Sequence, residues 1–319
     1  MHEFELIKGY FQKLSKKFFS SLKLNDDVFF DKKNKLIISV DTYTEGNHFV
    51  NFKNPDLVIK KIIRSSISDL ICKGVKPKYY FISGSGNKKK FSKSNLSKMI
   101  KSLNQEQNKY EIYLSGGDTV FSNKLSFTIT SVGFSNNIVY RNNAKLNDDI
   151  YVTGNLGDSY LGLLILKKKI KLNKLLSKYF INQYYMPDIQ FKLIDKLKKI
   201  SNTSIDISDG LLTDLEKMIN KQKLSYKLNL ESIPISINLK KVLNLKKLSK
   251  VNYISNGDDY QVLFTASKSK TGIINSISRK LGIRITKIGT IQKNTLKSVV
   301  INHNNAAIIL KNKGYFHEF

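Results

Sequence analysis

The sequence predicts an α/β or α+β protein in two halves, and three observations support that prediction. The chain has 319 residues, which is long enough for two domains. Its hydrophobic fraction of 41% is typical of a folded protein and not of a disordered one. Short apolar runs that indicate strands alternate with segments whose apolar residues recur at helical spacing.

The first half is predicted to begin with a strand at KLIISVD, residues 35–41. Asn54 and Pro55 then predict a helix start, with Asn54 as the cap and Pro55 in the first turn. Apolar residues keep helical spacing from Ile59 until Gly74 ends the helix. The remaining predicted elements follow in the order strand KYYFIS, helix SNLSKMIKSL, strand YEIYL and strand LSFTITSVGF.

The loop RNNAKLNDD, which starts at Arg141, is the predicted boundary between a first domain at 1–140 and a second at 141–319. Beyond it the sequence predicts strand DIYVTG, helix DSYLGLLIL, a lysine-rich helical region, strand TSIDIS, helix GLLTDLEKM, buried strand YQVLFTA and a final helix and strand pair.

The charge is strongly positive, with 54 Lys and Arg against 25 Asp and Glu and a formal net charge of +29. The lysines are spread along the whole length together with many Asn and Ile residues, which favours a solvated lysine surface. Nucleic-acid binding stays open as an alternative because such an excess also suits phosphate backbones, although no zinc-finger spacing or basic arm is present. The single cysteine, Cys72, indicates a reducing compartment, and no apolar run is long enough for a membrane span. We therefore expect a cytoplasmic protein.

Several aspartates stand where predicted strands end. Asp41 ends the first strand, Asp118 follows Ser115-Gly116-Gly117, and Asp206 and Asp209 flank a strand-to-helix junction. Gathered carboxylates need a cation, and Mg²⁺ prefers such oxygen ligands together with substrate phosphates. This pattern favours phosphoryl transfer, but an isolated Asp before a helix is also a common cap and Gly-Gly-Asp is also a common turn. No nucleophile with an adjacent base is evident, so no covalent intermediate is expected.

The ordered set of motifs resembles the thiamine-monophosphate kinase family, within the superfamily of aminoimidazole ribonucleotide synthetase. The resemblance covers the chain from end to end and rests on EFELI at 3–7, the pair at 26–27, VDTYTEGNHF at 40–49, SDL at 68–70, SGGDT at 115–119, YVTGNLGDS at 151–159, DISDGLLTDL at 206–215, NGDDYQVLF at 256–264 and GYFHEF at 314–319.

This resemblance implies an ATP-dependent enzyme that phosphorylates thiamine monophosphate to thiamine diphosphate with several Mg²⁺ ions. The implied magnesium ligands are Asp27, Ser39, Asp41, Asp69, Asp118, Asp206 and Asp209. The implied ATP-binding residues are Gly117, Asp118, Arg141 and Ser208, and the implied substrate-binding residues are His48, Asp258 and Tyr315. It also implies a homodimer in which the N-terminal domains pair into a β-barrel beside C-terminal α/β layers, with no membrane partner.

The sequence departs from the family pattern beside several of these positions. Leu24-Asn25 and Asn142-Asn143 replace segments with glycine, Val40 replaces a usual Thr, and Asp258 replaces a Glu. No predicted magnesium carboxylate is lost, so a working enzyme is expected. The alternatives are a sister ATP-using synthetase with another acceptor and a basic nucleic-acid-binding protein with a degenerate enzyme core.

Overall fold

Two mixed β-sheets organise the computed structural model, which describes residues 3–15, 17–308 and 314. The first sheet contains β1 (Phe29–Asp31), β2 (Leu36–Thr44), β3 (Pro77–Gly86), β4 (Tyr113–Phe121) and β5 (Ser126–Phe134). The second contains β6 (Asp149–Thr153), β7 (Thr203–Asp206), β8 (Leu224–Asn229), β9 (Val262–Ala266), β10 (Ile285–Lys293) and β11 (Val299–Ile301). The prediction of a mixed α and β fold is confirmed.

The helices of the described residues connect these strands. They are α1 (Glu3–Leu6), α2 (Pro55–Cys72), α3 (Lys93–Tyr110), α4 (Asp158–Leu166), α5 (Lys174–Tyr185), α6 (Ile194–Ile200), α7 (Leu211–Ile219), α8 (Ile237–Lys246), α9 (Lys250–Ile254) and α10 (Thr271–Leu281). Within residues 3–15 and 17–308, none of them combines the length and apolar character that a membrane crossing requires.

The first sheet has the strand order β1-β2-β5-β3-β4 and is antiparallel except for the β3–β4 pair. Strand β4 forms one edge, and every residue of this strand is exposed. The SGGD segment, which we expected in a loop after a strand, lies inside β4 because its backbone pairs with β3. A Cβ atom at Gly117 would lie 1.8 Å from the Ile82 carbonyl oxygen, so this position accepts only glycine.

Helix α2 is the central helix and is buried along most of its length. Pro55 occupies its first turn as predicted, but Asn54 makes no side-chain cap bond to any described residue, so that part of the prediction was wrong. The helix ends at Cys72, and Gly74 follows it with a φ of +69°, a left-handed conformation that favours glycine.

The second sheet has the order β11-β8-β10-β6-β9-β7, with β7 at one edge. Helix α2 packs against β2 and β5 of the first sheet and also against β7 of the second. One hydrophobic cluster therefore includes residues of both halves, such as Ile63, Phe127 and Phe264. The division at residues 140 and 141 stays a prediction.

Candidate active site

A group of aspartates lies where α2 meets both sheets, with Asp206 buried and the others half-buried. Carboxylate oxygens of Asp27, Asp69 and Asp206 all lie within 4.8 Å of one another. Asp41 interacts electrostatically with Asp69 and Asp206 and completes what we call the aspartate cluster. These four residues come from the segment before β1, from β2, from the last turn of α2 and from the end of β7.

Serine hydroxyls hold the carboxylates in place. Ser39, which shares a face of β2 with Asp41, donates a hydrogen bond to Asp69. Ser68 of α2 donates to Asp206 over 2.5 Å, and Ser66 opposes the rise in the pKa of Asp41. Small polar residues beside Asp69 on α2 therefore interact with carboxylates of the cluster.

Burial and mutual repulsion make ionisation of the cluster unfavourable. Burial, followed by repulsion from Asp206, raises the pKa of Asp41 to about 7. Burial and the charges of Asp41 and Asp206 raise the pKa of Asp69 well above its usual value. Burial also raises the pKa of Asp206, although Ser68 and nearby cations oppose the shift. A divalent ion would relieve this repulsion, so the donor set fits Mg²⁺.

Two cations already contact one side of the cluster. The Lys73 ammonium lies 2.6 Å from Asp26 and 2.8 Å from Asp27. Arg141 binds Asp27 through Nη2 and through Nε, the latter at 3.0 Å, and its main-chain N–H donates to Asp26. Burial opposes the charge of Lys73, but Asp26 and the other carboxylates outweigh it and raise the pKa of Lys73. Arg141 is therefore placed as an ion-pair partner of Asp27.

The loop from Asp206 to Gly210 carries the next candidates. Asp209 pairs with Lys217, and the N–H groups of Asp209 and Gly210 donate to Asp214 at 2.9 and 3.0 Å. Burial raises the pKa of Asp214 to about 7. The Ser208 carbonyl accepts from the N–H of Asp258 at 2.8 Å, which ties this loop to the 255–258 segment.

His48 and Asp258 are both connected with Tyr184. The Tyr184 hydroxyl donates to the His48 carbonyl at 3.1 Å, and the ammonium of Lys61 lies 3.8 Å from the Tyr184 ring centroid. The same ammonium pairs with Asp258 at 2.5 Å. The Nδ1 atom of His48 accepts a hydrogen bond from the N–H of Thr44. Asp258, an expected substrate-binding residue, therefore has a buried cation beside it that offsets its negative charge.

Two tyrosines connect this region with the aspartate cluster. Tyr43 interacts with the Asp41 carboxylate and lies edge-on to the His48 ring, with the centroids 5.9 Å apart. Tyr260 donates to Asp258 at 3.1 Å and interacts electrostatically with Asp206. His48 and Asp258 are thus connected with the aspartate cluster through these two side chains.

Asp118 and Gly117 lie apart from that site. Asp118 is in register with Ser83, Ser83 with Thr128, and Thr128 with Thr42. The three strand spacings between β4 and β2 amount to roughly 14 Å. Asp118 is also exposed at the sheet edge. A single copy of the chain does not place it at the aspartate cluster, and its metal and ATP roles stay predictions.

Tyr315 lies outside the described residues. Gly314, which is described, lies beside Thr213 and the Asp209 carbonyl, since a Cβ atom there would be 2.1 and 2.9 Å from them. A cleft of about 310 Å³ opens nearby between the N-terminal segment and α7. Leu24 and Asn25 line this cleft, so one departure from the family pattern borders the site.

Sequence reasoning missed three lysines of the site, Lys61, Lys73 and Lys217. Lys61 and Lys73 are almost fully buried, at 1% and 0% exposure, and so are exceptions to the expected solvated lysine surface. One local signal was available, because Lys73 follows Asp69 by four residues and such pairs share a helix face.

Comparisons with known proteins identify relatives of this chain. Residues 25–135 match the family model for the N-terminal domain of AIR synthase related proteins. A thiamine-monophosphate kinase of Buchnera aphidicola from Acyrthosiphon pisum is 35% identical over 328 residues, covering 99% of this chain and 98% of that protein.

Solved structures extend the similarity to the whole fold. The structure of AaThiL complexed with AMPPCP and TMP has a TM-score of 0.84 at 25% identity, with 99% of this chain and 97% of that chain covered. Thiamine monophosphate kinase from Aquifex aeolicus has a TM-score of 0.79 at 25% identity, with 97% and 99% covered. The 35% identity to the Buchnera kinase over nearly the full length of both chains, together with these matching folds, shows that the chain belongs to the thiamine-monophosphate kinase family.

Proposed function

We propose that the chain transfers the γ-phosphoryl group of ATP directly to the phosphate of thiamine monophosphate, giving thiamine diphosphate and ADP. The observation that carries this proposal is the aspartate cluster, built from four separated parts of a chain whose relatives are thiamine-monophosphate kinases. The structural relative complexed with AMPPCP and TMP supports the same pair of substrates.

The aspartate cluster is the proposed site for Mg²⁺. Asp27, Asp41, Asp69 and Asp206 would supply carboxylate oxygens, with Ser39 and Asp209 beside them. Bound magnesium would neutralise charge on the phosphate groups that react. The raised pKa values of Asp41, Asp69 and Asp206 support this assignment, because they indicate carboxylates with too little positive charge around them.

The chain's own residues would position the two substrates. Ser208 and Arg141 border the carboxylates on the side proposed for ATP. His48, Tyr184 and Asp258 border the region proposed for thiamine monophosphate. Orientation of both phosphates in one buried site is the contribution that phosphoryl transfer requires of a protein.

A homodimer is part of the proposal because β4 is an open strand edge. Exposed strands that carry large apolar residues tend to pair with another chain. Val120 and Phe121 of β4 are 52% and 77% exposed. Pairing through this edge would build the expected barrel and would cover Asp118 and Gly117 with residues of the second copy. Light scattering at micromolar concentration should give the mass of two chains, and a monomer would contradict the pairing.

We also propose that the first domain spans 1–140 and carries most metal ligands, and that 141–319 completes the ATP and substrate sites in a cytoplasmic enzyme. The two sheets on either side of Arg141 support that division.

Variants of the cluster test the proposed site. Asp69→Asn and Asp206→Asn should each lower kcat for thiamine diphosphate formation by about a hundredfold or more, because each removes a charge that would hold the metal. Asp149→Asn is the matched control, since Asp149 is also buried but pairs with Lys287 at 2.7 Å. Near-normal turnover in both cluster variants would overturn the assignment of the cluster.

A further inference from the structure

The ammonium of Lys73 is a buried charge beside the aspartate cluster. Its side chain is fully buried, at 0% exposure. The Nζ atom lies 2.6 Å from Asp26 Oδ1 and 2.8 Å from Asp27 Oδ2, and it donates to the Ser204 carbonyl at 3.1 Å. These three acceptors match the three N–H groups of an ammonium. A buried lysine with a full set of acceptors is fixed in position and in charge.

The position of this ammonium relates it to the aspartate cluster. Asp27 contacts Lys73 directly, and oxygens of the same carboxylate group lie within 4.8 Å of oxygens of Asp69 and Asp206. Lys73 also follows Asp69 by one helical turn and interacts electrostatically with it. A divalent ion held by Asp27, Asp69 and Asp206 would therefore lie close to a permanent positive charge.

We propose that Lys73 is a built-in cation of the metal site. Its ammonium neutralises negative charge on the carboxylates of Asp26 and Asp27 and so sets how tightly a divalent ion binds there. This inference rests on the proposed metal site. Lys73 competes with the ion for the oxygens of Asp27 and repels it, so it weakens ion binding. The same charge keeps the carboxylates together in the metal-free protein, so the fold depends less on a bound metal.

Lys73 is thus a positioning residue with two opposite effects. A lysine with a purely structural role would stabilise the protein equally with and without metal. A built-in cation stabilises the metal-free protein and weakens its affinity for metal, so removing it should move these two quantities in opposite directions. Methionine is a suitable replacement because it is unbranched, of similar length and uncharged.

The experiment uses the full chain without nucleotide. Mn²⁺ is titrated and the free ion is followed by electron paramagnetic resonance, and melting temperatures are measured in EDTA and with Mg²⁺. Lys73→Met should bind Mn²⁺ about tenfold more tightly or better than the wild-type chain. It should melt at a lower temperature than the wild-type chain in EDTA and should gain more on addition of Mg²⁺.

Lys61→Met is the matched control. Lys61 is a buried lysine of the same helix, but its ion-pair partner is Asp258 and its electrostatic neighbours are Asp258 and Asp259. Its loss should leave Mn²⁺ affinity unchanged. If Lys73→Met does not fold, the same comparison is made between Asp26→Asn and the Asp26→Asn, Lys73→Met double variant, in which the double variant should bind Mn²⁺ more tightly.

The outcomes separate the two proposals. Measurable Mn²⁺ binding that is equal or weaker in the variants without Lys73 overturns the role of Lys73 and leaves the metal site standing. An absence of Mn²⁺ binding in every one of these proteins overturns the metal site and the role of Lys73 together.

Discussion

Gly210→Ala tests whether activity depends on the position of the candidate ligands, because it should move the loop that carries two of them without replacing any. Gly210 precedes α7 with a φ of +127°, which L side chains rarely adopt. A Cβ atom there would lie 2.1 Å from the Ser255 carbonyl oxygen, about 1.3 Å closer than ordinary van der Waals contact. The loop that carries Asp206 and Asp209 must therefore move by about 1 Å.

The magnitude follows from that displacement. A shift of about 1 Å in a group that positions reacting phosphates can cost about a hundredfold in rate. Backbone strain at Gly210 should lower the free energy of unfolding by about 1–3 kcal/mol, which a typical domain tolerates. The expected variant is folded, modestly destabilised and about a hundredfold slower.

The assay measures thiamine diphosphate by chromatography at saturating ATP and thiamine monophosphate, with thermal unfolding of the same samples. Gly272→Ala is the control, because nothing lies within 4 Å of a Cβ atom at that helical position. It should keep full activity and gain about 0.5–1 kcal/mol of stability. A Gly210→Ala enzyme with kcat within about threefold of wild type would refute the claim that a shift of about 1 Å in this loop slows phosphoryl transfer.

Three further predictions concern charge, stability and assembly. Burial raises the pKa of Asp158 from 3.8 to about 6. The folded chain therefore loses about 3 kcal/mol of stability as pH rises from about 4 to 7 and Asp158 ionises. Asp158→Asn should abolish this loss when the free energy of unfolding in urea is compared between the two pH values. Arg64→Met should cost about 3–5 kcal/mol in the same assay, because it leaves Glu106, now bonded at 2.8 and 3.0 Å, buried without its partner. The Arg64→Met, Glu106→Leu double variant should recover most of that loss, and a failure to recover would contradict the ion-pair explanation. Phe121→Lys should convert the proposed dimer to a monomer in light scattering, because it places charge on the open strand edge.

The elements predicted best from the sequence carry their own start and stop signals. Helix α2 begins at Pro55 and stops before Gly74. Helix α4 spans the residues 158–166 that the sequence predicted. Strand β4 was predicted less well, because glycines usually indicate turns and pairing with β3 is not visible in the local sequence. Strand β8 and helices α8 and α9 were not predicted individually.

The sequence predicted the acidic residues of the candidate site but not its lysines. Acidic residues are outnumbered by basic ones in this chain, 25 against 54, so those at element ends stand out, and the structure brings Asp27, Asp69 and Asp206 together. Lysines are common, and nothing local distinguishes a buried Lys61 or Lys73 from a solvated one. Their burial depends on long-range packing of α2 against both sheets.

One departure from the family pattern also has a structural explanation. Asn142 has a φ of +58°, a left-handed conformation that Asn tolerates better than most residues. Its N–H donates to the Met218 carbonyl, and its side chain accepts from Lys221, so this residue anchors the segment after Arg141 to the end of α7. Asn can therefore serve at this position without loss of the local backbone.

The most direct test of the central claim is an end-point assay with purified protein, ATP, Mg²⁺ and thiamine monophosphate, in which thiamine diphosphate and ADP are both quantified. Free thiamine serves as the control acceptor. The proposed function predicts equal amounts of the two products and no phosphorylated product from free thiamine. ADP without thiamine diphosphate, or no turnover in protein shown to be folded, would contradict it.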